Sequence, residues 1–206
     1  KKYDIHLEII KTEELKDERY NENPSNRCFF CKEHLFQDLN NVKNKYPGFD
    51  VLSGTNQDDL GDYRPGLKAA SNHDVLSPMV DCGLSKEELR QIARYFELPN
   101  WNKPASPCLS SRIPYKHKIT GEKLRQVENA ENILNEYGFN DVRVRHFGTY
   151  GQIEVKREEL EKLLLVEDEV RERIMQIGFP ELKIDQEGLV SGKLNRVLNS
   201  NNRNSL

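Results

Sequence analysis

Three cysteines hold the residue chemistry that stands out in this sequence. Cys28 and Cys31 lie three positions apart, next to Arg27, at the start of a segment patterned as a helix; Cys108 lies in an irregular stretch far along the chain. Two thiols one helical turn apart share a face near the positive end of the helix dipole, and Arg27 adds to the field that favours thiolate. Thiolate is the nucleophilic and metal-ligating form. The CxxC spacing suits a redox dithiol, half of a zinc site or part of a cluster site. Three thiols suit a cubane cluster with one iron left open. With His34 added, the same residues offer a closed Cys₃His zinc set. The strand that precedes CxxC in thioredoxin-like sites has no counterpart before Cys28. Cys82, isolated before a helix cap, is expected to be a small buried residue.

A second concentration runs from Gly54 to Gly66 (GTNQDDLGDYRPG). Its glycines allow close backbone approach at a strand end, and Asp58, Asp59 and Asp62 could hold magnesium or orient a ribose, although acidic turns are also common on solvated loops. Arg112, Arg143 and Arg145 form a third group. Arg143 and Arg145 alternate on one strand and point to one face, which suits a phosphate or carboxylate as well as an exposed face paired with glutamates. Glu128 and Glu131 share a helix face where solvation is the default. Trp101 is expected to pack into the core.

The elements that position these groups follow from pattern. Strands are expected over Tyr3 to Ile10 and Phe49 to Ser53, with another short apolar element over Val75 to Val80. Helices are expected from about Cys28 to Tyr46 and, behind a Ser85/Glu88 capping box, over Lys86 to Phe96. The order is βαβα, as in a parallel sheet that keeps ligands at its strand ends. Leu98 to Tyr115 is irregular, and so long a loop is functional or disordered. Beyond it come a helix over Thr120 to Tyr137 closed by Gly138, strands over Val142 to His146 and Gln152 to Val155, a helix over Glu158 to Ile177 and a last strand over Leu182 to Asp185. This second part reads as a small α+β unit with an antiparallel or mixed sheet. The polar tail from Asn199 is expected to be disordered.

Composition narrows the functional classes. The chain has 206 residues, 36% hydrophobic and 32% charged, with four cysteines and a formal charge of −3. Four cysteines are too few for a disulfide scaffold. A net negative chain argues against a generally nucleic-acid-coated surface, so any polyanion site is local. No apolar run approaches the ~20 residues that span a bilayer. A cytoplasmic protein with no membrane partner is expected.

Taken together, NPSNRCFFCKEHLF (Asn23 to Phe36), GTNQDDLGDYRPGLKAA (Gly54 to Ala70) and NKPASPCLSSRIPY (Asn102 to Tyr115) resemble the LarE family of ATP-dependent sulfur transferases. RVRH (Arg143 to His146) and EGLVSGKLNRVL (Glu187 to Leu198) add to the resemblance, which covers Tyr3 to Leu198. It implies an α/β fold: a parallel-sheet pyrophosphatase-loop (adenine-nucleotide α-hydrolase-like) domain over residues 1–115, a smaller α+β C-terminal domain over 116–198, and a tail over 199–206. It also implies an enzyme of nickel-pincer nucleotide cofactor biosynthesis, which adenylates a carboxylate of pyridinium-3,5-dicarboxylate mononucleotide and displaces AMP with sulfur. The three-cysteine pattern implies a [4Fe–4S] cluster on Cys28, Cys31 and Cys108. ATP and Mg²⁺ would fall to Gly54, Thr55, Asn56, Asp59 and Asp62, and the substrate or its phosphate to Ser111, Arg112, Glu131, Arg143 and Arg145. Sulfide or another sulfur donor is the expected partner, and family members often form homo-oligomers. The alternatives are a cluster-dependent tRNA thiolation enzyme and a non-catalytic zinc-stabilised binding module.

Three departures qualify the match. The SGGxDS loop that grips ATP phosphates in this family would precede the first strand and is not found from Lys1 onward, so this chain alone is expected to be incomplete for ATP hydrolysis. Val190 stands where an arginine is usual, with Lys193 as a candidate substitute. Lys116 replaces the usual glycine after Ile-Pro-Tyr.

Overall fold

The structure is a computed structural model that describes residues 5–61, 63–104, 106–190 and 192–197. The chain divides into two compact units, one comprising residues 1–20 and 26–103 and the other residues 21–25 and 104–206.

In the first unit a short helix α1 (Glu18–Asn21) leads to α2 (Arg27–Lys43), which is followed by α3 (Gly66–Asn72), α4 (Pro78–Asp81) and α5 (Lys86–Tyr95). Helices α2 and α3 pack on each other, burying Phe36, Ala69 and Ala70, with Phe29, Leu39, Val51 and Val75 partly covered around them. The small side chains of α3 let the two helices approach closely. Helix α5 starts where its sequence says it should: Ser85 Oγ accepts the Glu88 N–H at 3.3 Å, and the Glu88 carboxylate accepts the Ser85 N–H at 2.8 Å. This capping box satisfies two otherwise orphaned donors.

The strands expected in this unit are largely not formed. Residues 5–10 carry no strand pairing, and Ile5, Leu7 and Ile9 are 76–87% exposed. Phe49 to Ser53 contributes one parallel bridge, Leu52 to Leu76, and Val75 to Val80 passes from that bridge into α4. A parallel strand needs ladder partners and cover on both faces. Leu52 and Leu76 have only each other as ladder partners, and both remain exposed, as does Phe49. Trp101 is also not a core residue: it is exposed, with the Arg94 guanidinium 5.2 Å above its ring.

The second unit is built around α6 (Gly121–Glu136) and a three-stranded sheet. Thr120 caps α6 by accepting the Lys123 N–H, and Gly138 closes the helix at φ +85°, a left-handed conformation that glycine adopts without a Cβ penalty. Val127, Ala130, Ile133 and Leu134 recur at helical spacing and form the buried face. Strands β1 (Arg143–His146) and β2 (Gly151–Glu154) pair antiparallel, with Arg143 opposite Glu154 and Arg145 opposite Gln152. The chain then crosses through α7 (Leu160–Leu165) and α8 (Glu167–Gln176) to β3 (Leu182–Ile184), which lies parallel to β2. The sheet is therefore mixed, as expected. The single helix expected over Glu158 to Ile177 is divided: the backbone leaves helical geometry at Val166, and the acidic run Glu167-Asp-Glu169 starts α8 at the end of a helix that favours negative charge. Phe139, Val144, Ile153, Leu163, Val170, Ile174 and Phe179 fill the core between helices and sheet.

Candidate functional site

Cys28 and Cys31 sit in the opening turns of α2, as the helix pattern required. Asn26 is the N-cap residue, Arg27 the first helical residue, and Cys28 is exposed while Cys31 is half-buried one turn on. Both carry thiols, not disulfides. His34 is engaged elsewhere: its Nε2 lies 2.9 Å from Asp17 Oδ2. Arg19 grips the same carboxylate, and that hydrogen-bonded pair, with His34 assisting against the opposing effect of burial, holds the Asp17 carboxyl well below the usual range. A polar, open cleft of about 360 Å³ beside this pair is lined by Glu13, Lys16, Asp17, His34, Gln37 and Asp38, and includes none of the cysteines. Among the described residues no group of three or more His, Cys, Asp and Glu side chains is placed to hold a metal ion. Cys82 is exposed where a buried residue was expected, because it ends the four-residue α4 ahead of Gly83 at φ +66° and points from a turn, not a packed face.

The acidic loop is internally satisfied. Asn56 Oδ1 accepts the N–H groups of Asp58 and Asp59, and the Asp59 carboxylate accepts the Asn56 N–H and pairs with Arg64 at 2.7 Å. Asp58 accepts the Lys86 N–H at the start of α5. The Thr55 and Ser53 hydroxyls are 2.7 Å apart, and a Cβ at Gly54 would meet only Met79 Cε at 3.8 Å. These residues shape one 3₁₀ turn, Gln57–Gly61, at the end of the bridging segment. Asp62 lies outside the described residues.

Cys108 belongs to the second unit, where it is exposed at the N-cap of the 3₁₀ turn Leu109–Arg112. The arginines gather around this turn. Arg112 makes a two-pronged pair with Glu131 (2.8 and 3.0 Å) and sends its third nitrogen to Pro107 O (2.7 Å), Cys108 O (3.3 Å) and Ser111 Oγ (3.2 Å). Glu131, for which solvation was the default, is thus nearly buried in an ion pair, while Glu128 stays exposed. Arg145 donates to Ser111 O (2.8 Å) and to Glu154 (2.9 Å), a carboxylate only 1% exposed. Its Nε is buried with no hydrogen-bond partner.

Arg143 differs from both. It is 9% exposed, and its guanidinium has no hydrogen-bond or ion-pair partner among the described residues. Burial, then the positive charges of Arg112 and Arg145, lower its pKa, with Asp141 and Glu154 opposing. None of its nitrogens is among the fully buried unpartnered atoms of the described residues, so water reaches the guanidinium, and an anion beside it would replace that water with a charge-assisted pair.

Several residues around this site show their role only in the fold. Asn23 sits at φ +56°, a conformation asparagine tolerates, and its amide donates to Ile113 O, Pro114 O and His117 O at 2.7–3.1 Å. It ties the NPS segment to the stretch that follows the cysteine turn. Lys116, the residue standing in place of a glycine, has φ +66° and donates its N–H to Asn23 O, which explains why glycine would suit the position. Lys193 is ion-paired with Asp185 at 2.6 Å and lies 3.8 Å from Glu154, so its charge is spent within the protein. Burial pushes the Asp185 carboxyl up, but the Lys193 and Glu187 N–H hydrogen bonds outweigh it and the net shift is downward. Alternating apolar residues announced the strands; nothing in the alternation announced which glutamate would meet which arginine.

No protein-family model matches the chain. Among curated proteins it is 43% identical over 94% of its length to an uncharacterised Synechocystis protein, covering 73% of that relative. It is 33% identical over 89% of its length to pyridinium-3,5-bisthiocarboxylic acid mononucleotide synthase of Lactiplantibacillus plantarum, covering 67% of it. It is also 32% identical over 91% of its length to an uncharacterised Methanocaldococcus jannaschii protein, covering 71%. An α/β chain with a small mixed sheet and this degree of likeness belongs to the LarE family, the family of the Lactiplantibacillus synthase. No helix among the described residues is long and apolar enough to cross a membrane.

Proposed function

We propose that this protein is an ATP-dependent sulfur transferase that converts a carboxylate of pyridinium-3,5-dicarboxylate mononucleotide to a thiocarboxylate. The observation that carries the reading is the Arg143 guanidinium, without a hydrogen-bond or ion-pair partner among the described residues, on the strand β1 that packs against the turn whose N-cap, Cys108, exposes a thiol. Membership in the family of the Lactiplantibacillus synthase supports the substrate. Arg143 takes the nucleotide phosphate, Ser111 belongs to the turn that follows Cys108, and Arg112, Glu131 and Arg145 shape the site and add its potential.

The reaction proceeds by activation and displacement. A substrate carboxylate oxygen attacks the α-phosphorus of ATP and pyrophosphate leaves; sulfur then attacks the acyl carbon, the acyl–oxygen bond breaks, and AMP departs with the electron pair. The segment Gly54, Thr55, Asn56 and Asp59 serves the nucleotide with Mg²⁺, and Asp62 is proposed with them. Cys28, Cys31 and Cys108 would hold a [4Fe–4S] cluster. Three solvent-reachable thiols, two of them one helical turn apart, are the soft donor set such a cluster needs. When bound, the cluster supplies a soft sulfide for the displacement. Bringing Cys108 to the other two thiols is part of the proposal. A cytoplasmic setting, a sulfide-level donor and assembly into homo-oligomers complete it.

The test supplies the protein with ATP, sulfide and either the pyridinium nucleotide or tRNA, anaerobically, and measures which gains sulfur and how much iron the protein binds. Sulfur on the nucleotide, with about four irons per chain as a [4Fe–4S] cluster requires, is the expected result. Sulfur on tRNA, or stoichiometric zinc retained in air, overturns it. Cys108→Ser is expected to lose both cluster and sulfur transfer while the fold persists.

A further inference from the structure

We infer that Arg112 and Arg145, each locked by a nearly buried glutamate, are positioning residues that hold the backbone of the Cys108 turn and so aim its thiol; this rests on the reading of Cys108 as a sulfur-handling residue.

Four acceptors of the turn are held by these two side chains. Arg112 Nη1 reaches Pro107 O at 2.7 Å and Cys108 O at 3.3 Å, the carbonyls before and after the Cys108 Cα, and Ser111 Oγ at 3.2 Å. Arg145 Nη1 reaches Ser111 O at 2.8 Å. From within the turn, the Ser111 N–H donates to Cys108 O at 2.9 Å. The cysteine itself remains exposed. A short 3₁₀ turn has weak hydrogen bonding of its own, so carbonyls gripped from outside decide whether it keeps one conformation.

The grips are themselves anchored. Glu131 uses both oxygens on Arg112, and one of them also accepts the Val144 N–H at 3.0 Å, fixing the carboxylate between α6 and β1. Glu154, 1% exposed on β2, fixes Arg145 and is itself balanced by Lys193 at 3.8 Å. The chain of restraint therefore runs from the core of the second unit, through two ion pairs, to the turn. Guanidinium is the group for this task, because its planar fork bonds a carboxylate on one edge and carbonyls on the other; an ammonium keeps the charge and loses the fork. The same geometry separates the three arginines by role. Arg112 has committed every nitrogen to protein acceptors and Arg145 all but its buried Nε, while the Arg143 guanidinium has no such acceptor among the described residues.

The experiment compares Arg112→Lys, Arg143→Gln and Cys108→Ser in the full chain, by hydrogen exchange of the Ser111 and Ile113 amides and by steady-state sulfur transfer to the pyridinium nucleotide. For Arg112→Lys the expected result is roughly tenfold faster exchange at those two amides, with β1 and β2 amides unchanged. Its kcat should fall roughly tenfold with KM within about twofold, whereas Arg143→Gln should act chiefly on KM. Glu131→Gln, which keeps the shape and one acceptor oxygen, is the second variant and should give the same pattern if Arg112→Lys fails to fold. Unchanged exchange in both variants would show that the turn holds itself and overturn the clamp. Faster exchange with unchanged kcat would show that the restraint has no bearing on Cys108 chemistry and overturn the positioning role. Wild-type sulfur transfer by Cys108→Ser would instead overturn the sulfur reading, and the positioning role with it, while the exchange data would still report on the clamp.

Discussion

The two units of this chain bury different things. In the second, α6 and the mixed sheet enclose a continuous apolar cluster from Val127 to Leu182, and the charged groups beside it, Arg112 with Glu131 and Arg145 with Glu154, are buried in matched pairs. In the first, the apolar cluster of α2 and α3 buries Phe36, Ala69 and Ala70 among the described residues, and ion pairs such as Lys43 with Asp50 are exposed. Its extended segment shows Ile5, Leu7 and Ile9 to solvent. A buried pair fixes geometry because neither partner can leave without stranding the other, whereas an exposed pair exchanges freely with water. The second unit is thus the one built to hold functional groups in place, and the first presents its cysteines from a helix end whose surroundings are open.

Mutations can break this contrast. Removing the Glu131 carboxylate with Glu131→Ala leaves Arg112 buried and uncompensated, and should cost about 3–5 kcal/mol in urea denaturation. A cost near zero would mean that water reaches the pair. Phe139→Ala, from a side chain with no solvent exposure in the larger core, should cost about 3–5 kcal/mol, and Phe36→Ala, in the smaller cluster, less than that by the same measurement. Equal costs would erase the distinction between the cores.

Gly151→Ala sharpens the contrast. A Cβ there would stand 2.7 Å from the Phe179 ring and 2.9 Å from Leu182, so overpacking should cost about 1–3 kcal/mol. At the end of a helix in either unit the effects should be alike: Thr120→Ala and Ser85→Ala each remove one cap and should cost about 1 kcal/mol.

The smallest effect concerns pH. His146 is buried, its Nδ1 accepts the Gly148 N–H at 3.0 Å and its Nε2 lies 2.9 Å from Gln126 Oε1, so the ring is held neutral. Burial, then the charge of Lys123, lowers its pKa. A histidine with a folded pKa below its unfolded one contributes stability that is complete above the unfolded value, about 6.5, and is lost as pH falls from there toward the folded value. Stability of the second unit should therefore decline below about pH 6.5, and a His146→Gln variant should show a flatter profile over that interval.

Local structure was legible wherever a single segment carried its own instructions. The Ser85/Glu88 box, the Thr120 cap, the Gly138 stop and the helical spacing of Val127, Ala130, Ile133 and Leu134 each set an element without help from distant residues. The strands of the first unit show the opposite case: Phe49 to Ser53 has the composition of a buried parallel strand, but a ladder depends on partners, and only Leu76 meets it. Cys82 and Trp101 were misplaced for a related reason, since burial is decided by what surrounds a residue and not by its type.

The sequence by itself determined the soft-ligand inventory, Cys28, Cys31 and Cys108, the motif order that resembles the LarE family, and the helix ends. Chain-local physics suffices for these: residue identity, dipole, cap and period. Only the tertiary structure decided which arginine is committed and which is available. Arg112, Arg143 and Arg145 look alike as residues, and two of them alternate on one strand; their difference is made by Glu131 on α6 and Glu154 on β2, residues 9–19 positions away that folding brings to 2.8–3.0 Å. That distinction is one of energy as well as geometry, because a guanidinium without a carboxylate partner gains most from an anion supplied from elsewhere.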